Sequence, residues 1–171
     1  MTALSPNRLI ARVAGIIFLA DQFTKLAVLK YLNFADEKII VPGFFKFVHW
    51  GNTGAAWSLF TGRNGLLAAV ALAALVALWF ARRHFGAHTR LGQLALGLIF
   101  GGIVGNLLDR LLPERQHVID FLYFFVHTGG HEHGFPAFNV ADSAICTGVG
   151  LIFWLNWKSE AACPTANNHQ P

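Results

Sequence analysis

Four long apolar stretches, at about residues 9–32, 65–80, 91–112 and 139–157, leave this chain few ways to fold in water. At 1.5 Å of rise per residue each approaches the roughly 30 Å of a bilayer's hydrocarbon core, the second only when its ends are counted generously. Composition agrees: 13% of the 171 residues are charged, about half the share of an ordinary soluble domain, and mean hydropathy is +0.48. The expected fold class is an all-α membrane protein, a four-helix bundle forming one domain over residues 1–171.

Thirteen Lys and Arg against nine Asp and Glu give a net charge of +4. The basic residues are scattered and fall largely at the ends of the apolar runs, so they read as topology marks, and no nucleic-acid partner is expected. Arg82, Arg83 and Arg90 in the short connection between the second and third stretches mark that loop as cytoplasmic. Four spans then put both termini on the same side, leaving loops 33–64 and 113–137 outside. Arg8 just before the first stretch and Arg12 near its start resemble the head of a signal peptide, but no small-residue cleavage site follows and polar groups interrupt the stretch, which predicts a retained helix. Within the first outer loop, residues 39–48 have the β-branched and aromatic content of short strands broken at Pro42-Gly43. Phe44, Phe45, Phe47 and Trp50 are expected there as interfacial anchors. Cys146 in an apolar run and Cys163 in the polar tail 158–171 should lie at different depths, unpaired.

Charges beside or inside apolar segments need an explanation, because a carboxylate out of water must be paired, neutralised or hydrated. Asp21 and Lys25, about 13 and 20 Å along the first helix from Arg12, are four residues apart on one face and can neutralise each other. A structural pair that also bonds a neighbouring helix is the plainer reading, and direct catalysis by Asp21 the alternative. Gly97, Gly101 and Gly105 recur every four residues, which predicts close helix packing. Gly102, Asn106 and Arg110 form a parallel row whose polar end could orient a carboxylate or bind a carbonyl; for Arg110, snorkelling to the surface is the alternative. Asp142 stands three residues after Asn139, the spacing of a capping box at a helix start. Asp120, among Val118, Ile119 and Phe121, has no such reason, and the two aspartates together suggest an acid/base pair. His127, His131, Glu132 and His133 could bind zinc, but a solvated flexible loop is the expected state of that segment.

Five ordered blocks now resemble a known family: Asp21-Gln22-Phe23-Thr24-Lys25, Asn52-Thr53-Gly54-Ala55-Ala56-Trp57-Ser58, residues 101–110 from Gly101 to Arg110, Val118-Ile119-Asp120-Phe121, and Phe138-Asn139-Val140-Ala141-Asp142-Ser143. The chain is similar over nearly its full length to the lipoprotein signal peptidases, or signal peptidase II. Trp57 and Ile103-Val104 depart from the family's usual pattern, away from the proposed chemistry. The resemblance implies four transmembrane helices, a small extracytoplasmic β-rich cradle and residence in the bacterial inner membrane. It also implies an aspartic endopeptidase that cleaves before the lipidated cysteine of diacylglyceryl-modified prolipoproteins and needs no cofactor or metal. Its catalytic positions correspond to Asp120 and Asp142, and its supporting positions to Asp21, Lys25, Asn52, Gly54, Asn106, Arg110, Asn139 and Ala141. Membrane lipid and globomycin-like cyclic peptide inhibitors are the further partners it implies. From the residues alone, a small proton-coupled transporter or lipid carrier using the same charges is the competing class, disfavoured by the lack of a second half resembling the first.

Overall fold

The computed structural model describes residues 6–54 and 60–161, so Ala55 to Ser58, Trp57 among them, and Cys163 lie outside the described residues. Four helices carry the bundle: α1 (Pro6–Tyr31), α2 (Asn64–Ala81), α3 (Arg90–Leu111) and α4 (Val140–Ala161). Each falls within a few residues of its apolar stretch, and local chemistry sets several of the ends. Thr89 caps α3 by accepting the Gly92 N–H at 3.0 Å, and Leu112, extended before Pro113, ends it.

Three of the helices, Asn64–Ala81, Arg90–Leu111 and Val140–Lys158, are long and apolar enough to cross a membrane. The first helix is not, because every stretch of it long enough to span carries at least three charges, Asp21 always among them and Lys25 in most. Helix α3 is central. Cβ atoms added at Gly97, Gly101 and Gly105 would stand 2.6 Å from Val13 Cβ, 2.6 Å from the Ala14 carbonyl oxygen and 2.5 Å from Asp21 Oδ2, all on α1. One added at Gly102 would stand 2.5 Å from the Ala141 carbonyl oxygen of α4. The glycine rows therefore let three backbones close up, as four-residue spacing predicts. Helix α2 packs mainly on α3 and is exposed over most of its surface, the pattern of a helix that faces lipid.

At one end of the bundle lies a four-stranded antiparallel sheet in the order β1 (Glu37–Val41), β2 (Phe45–Asn52), β3 (Val118–Thr128), β4 (His131–Gly134). Strands β1 and β2 turn at Pro42-Gly43, with Gly43 at φ +75°, where expected. Strands β3 and β4 turn at Gly129 and Gly130, at φ +62° and +80°, the left-handed pair a two-residue hairpin demands. The segment expected to be a flexible loop is thus a hairpin. Strand alternation sends Glu132 and His127 to one face, where they approach to 3.9 Å, and His131 and His133 to the other. The side chains proposed for zinc cannot converge there.

Lys46 at the centre of that first face donates to Glu37 of β1 at 2.7 Å and to Glu132 of β4 at 3.0 Å, and lies over the rings of Tyr123 and Phe125 of β3. One ammonium joins all four strands. Of the expected interfacial anchors only Phe44 is exposed; Phe45 packs on Phe124, Phe47 on Phe121 and Trp50 on Tyr123. Ile39, Ile40 and Val41 of the edge strand are exposed beside Phe44. Ile119 and Phe121 of β3 bury against Val28 and Leu32 of α1 and Val140 of α4, which fixes the sheet to the helix ends.

Candidate active site

Strand β3 and the start of α4 bring two carboxylates together. Asn139 precedes α4, where its Oδ1 accepts the Asp142 N–H at 2.9 Å and its own N–H donates to Asp142 Oδ2 at 3.1 Å. This is the reciprocal capping box read from the spacing. Asp120 pairs with Trp50 across β2 and β3 and is 3% exposed. The amide of Asn139 spans the gap, donating through Nδ2 to Asp120 Oδ1 at 2.8 Å. One side chain therefore bonds both aspartates, which also line the same open cavity of about 830 Å³ with Asn52, Gly54, Phe138, Ser143 and Cys146.

Two further amides complete the surroundings. Asn52 donates to Asp120 Oδ2 at 3.0 Å while its Oδ1 accepts the Gly54 N–H at 2.9 Å. Asn106 on α3 donates to Asp142 Oδ1 at 2.7 Å while its Oδ1 accepts from Lys25 Nζ at 2.9 Å. Burial holds the Asp120 carboxyl up at about 7 from its ordinary 3.8, and the nearby Asp142 charge adds to the rise. The amides of Asn52 and Asn139 and the Lys25 ammonium pull the other way. A carboxyl poised near neutrality beside a second carboxylate is suited to proton transfer.

Arg110 does not snorkel. Its guanidinium turns inward to the Gly54 carbonyl at 2.6 Å and Asn64 Oδ1 at 3.0 Å, which ties the chain after β2 to α3 and to the start of α2. Asp21 is outside the cavity: its Oδ1 accepts the Ala141 N–H at 3.0 Å and its Oδ2 pairs with Lys25 at 2.8 Å, so it joins α1 to α4. Of the ten residues singled out, Asp120, Asp142, Asn52 and Gly54 line the cavity. Asn106, Asn139 and Arg110 bond directly to these. Lys25 lies one bond further out, through Asn106, and Asp21 and Ala141 further still.

Asp109 was not singled out and belongs with them. Wholly buried, it takes Lys25 Nζ at 2.7 Å on Oδ2 and pairs with Arg115 through Oδ1. Arg115 also donates to Gln22 at 3.1 Å. Its signal was in the sequence, since the row Gly97, Gly101, Gly105 continues at the same spacing to Asp109 and so faces α1.

Apolar helices of membrane-spanning length, closed at one end over two carboxylates that share Asn139 as a hydrogen-bond partner, have the features of a membrane enzyme of the acid/base class. The chain belongs to the signal peptidase II family, whose model, described as Signal peptidase (SPase) II, matches residues 13–158. A lipoprotein signal peptidase of Geobacter metallireducens is 40% identical over 153 residues, covering 87% of this chain and 91% of the relative. One of Azoarcus sp. is 40% identical over 162 residues, covering 93% and 88%. Among solved structures, a bacterial membrane enzyme determined by the in meso method superposes with a TM-score of 0.76 at 26% identity, covering 95% of this chain and 93% of its own.

Proposed function

We propose that this protein is a membrane-embedded aspartic endopeptidase that removes the signal peptide from diacylglyceryl-modified prolipoproteins, cleaving before the lipidated cysteine. The observation that carries the mechanism is that Asn139 donates to both carboxylates, through its side-chain amide to Asp120 Oδ1 and through its backbone N–H to Asp142 Oδ2, while Asp120 and Asp142 line one cavity. Two close carboxylates share one proton more readily than both ionise. The ionised member takes a proton from water as the oxygen attacks the scissile carbonyl, while the protonated member hydrogen-bonds that carbonyl. Collapse of the tetrahedral intermediate returns a proton to the leaving amine. Asn52, Asn106 and Asn139 hold the carboxylates, and Gly54, whose carbonyl Arg110 holds from behind, forms part of the adjoining wall for the substrate.

All of residues 1–171 belong to one domain. Helix α1 crosses the bilayer with the other three, since Asp21, Lys25, Asp109 and Arg115 neutralise one another within the bundle. Arg82, Arg83 and Arg90 lie at the helix ends away from the sheet and mark the cytoplasmic side. Both termini are then cytoplasmic, and the sheet forms an extracytoplasmic cradle at the outer face of the bacterial inner membrane. The substrate's acyl chains remain in the lipid, so enzyme and substrate meet in two dimensions. Globomycin-like cyclic peptides would fill the same cavity uncleaved. Purified protein given one prolipoprotein with and without its diacylglyceryl group should cleave the lipidated form alone; equal cleavage of both would overturn the substrate assignment.

A further inference from the structure

Every oxygen of the two aspartates accepts one N–H: Asp120 from Asn139 and Asn52, Asp142 from Asn106 and the Asn139 backbone. An amide side chain can present either end, so something must decide which end faces the carboxylate. At each asparagine a group that can only donate decides it. The Gly54 N–H takes Asn52 Oδ1, the Asp142 N–H takes Asn139 Oδ1, and Lys25 Nζ takes Asn106 Oδ1. None of the three amides can flip without setting donor against donor.

The two aspartates differ in what lies behind their donors. Those of Asp120 are amides whose oxygens are held by neutral backbone N–H groups, and Asn139 Nδ2 also reaches Asn106 Oδ1 at the longer distance of 3.2 Å. Asp142, in the first turn of α4 where the helix dipole favours negative charge, takes the backbone N–H of the preceding Asn139 and an amide polarised by a buried ammonium. The charged groups around that ammonium are Asp21 on α1, Asp109 and Arg110 on α3, Arg115 in the following loop, Asp120 on β3 and Asp142 on α4. Asp21 and Asp109 touch Lys25, and Arg115 offsets one of them, leaving the four-charge cluster neutral.

We propose that Lys25 is a positioning residue which, through the amide of Asn106, keeps Asp142 as the proton acceptor of the pair and leaves the shared proton on Asp120. This rests on the paired-carboxylate reading and assigns its two roles. Lys25 reaches neither the cavity nor substrate; it acts by holding an amide and by its charge.

The test is the pH profile of kcat with a lipidated prolipoprotein, in full-length protein with detergent and lipid. Lys25→Met combined with Asp109→Asn keeps the cluster neutral. It should lower kcat on the order of 10²-fold with little change in KM, the scale of losing one preorganised donor. Without the ammonium the pair gives up its first proton less readily, so the acid limb should move about one pH unit upward. Lys25→Arg keeps the charge and should leave the limb in place, and Asn106→Leu should shift it as the double variant does. Combining Asn106→Leu with the double variant should add nothing further, because both act through one contact. An unmoved acid limb in Asn106→Leu, or in the folded double variant, would overturn the relay, as would additive losses. Failure of the dyad itself reads differently: Asp120→Asn and Asp142→Asn would both keep turnover, whereas they stay inactive if only the relay is wrong.

Discussion

Asn139 and Asp142 exchange hydrogen bonds across the first turn of α4 at 2.9 and 3.1 Å, and the same asparagine reaches Asp120 at 2.8 Å. Capping and orientation of the carboxylates are one arrangement, since a helix start holds Asp142 rigidly enough to face a strand residue. Asn139→Ala should therefore lose about 1 kcal/mol of stability with the cap. It should lose turnover by 10²-fold or so with the donor to Asp120. Thermal unfolding in detergent and kcat measured on the same preparation separate the two, and a folded variant with near-normal kcat would contradict the bridge.

The position of Asp120 near 7 gives two pH signatures. Its carboxyl is raised from 3.8, so between about 4 and about 7 the folded state binds more protons than the unfolded one, and this group's contribution to stability falls as pH rises through that window. Loss of the shared proton should also bring kcat/KM down above about pH 7. A pH series of turnover checks this: activity rising steadily to pH 9 would be inconsistent with a proton held on the pair.

Close approach of α3 to α1 makes Gly105 intolerant of a methyl group, which would stand 2.5 Å from Asp21 Oδ2. Gly105→Ala should destabilise by about 1–3 kcal/mol, the usual range for overpacking. Gly150→Ala meets nothing within 4 Å and should leave the melting temperature unchanged or slightly higher. Paired melts in one detergent decide the matter.

Lys46 ties the β3–β4 hairpin to the other strands through Glu132. Lys46→Gln weakens that tie without leaving a buried charge, because both glutamates are partly exposed. Limited proteolysis at the Gly129-Gly130 turn should quicken about fivefold, the population change that 1 kcal/mol produces. Unchanged cleavage would mean the turn and ladder alone hold the hairpin.

Apolar length located all four helices, glycine spacing the α3 contacts, and Asn139-to-Asp142 spacing the capping box. Strand β3 was harder to read, because Val118 to Phe121 are buried throughout and their run lacks the alternation that marks a one-sided strand. Strand β4, His131-Glu132-His133-Gly134, has a loop's composition and is a strand only because β3 pairs with it. Asp21 and Lys25 were legible as a pair because they are one helical turn apart. The Asp109 carboxylate that joins them, 84 residues from Lys25, depends on how α3 meets α1. Local pattern thus revealed contacts within an element and the helix face that meets a neighbour, and which residue of the neighbour it meets needed the assembled bundle.

Single-turnover cleavage of a diacylglyceryl-modified prolipoprotein by Asp120→Asn and Asp142→Asn, each checked for a cooperative melt, decides whether both carboxylates carry the reaction. Both variants should be folded and release no signal peptide. Cleavage by either variant at a rate near that of the unaltered enzyme would contradict the dyad.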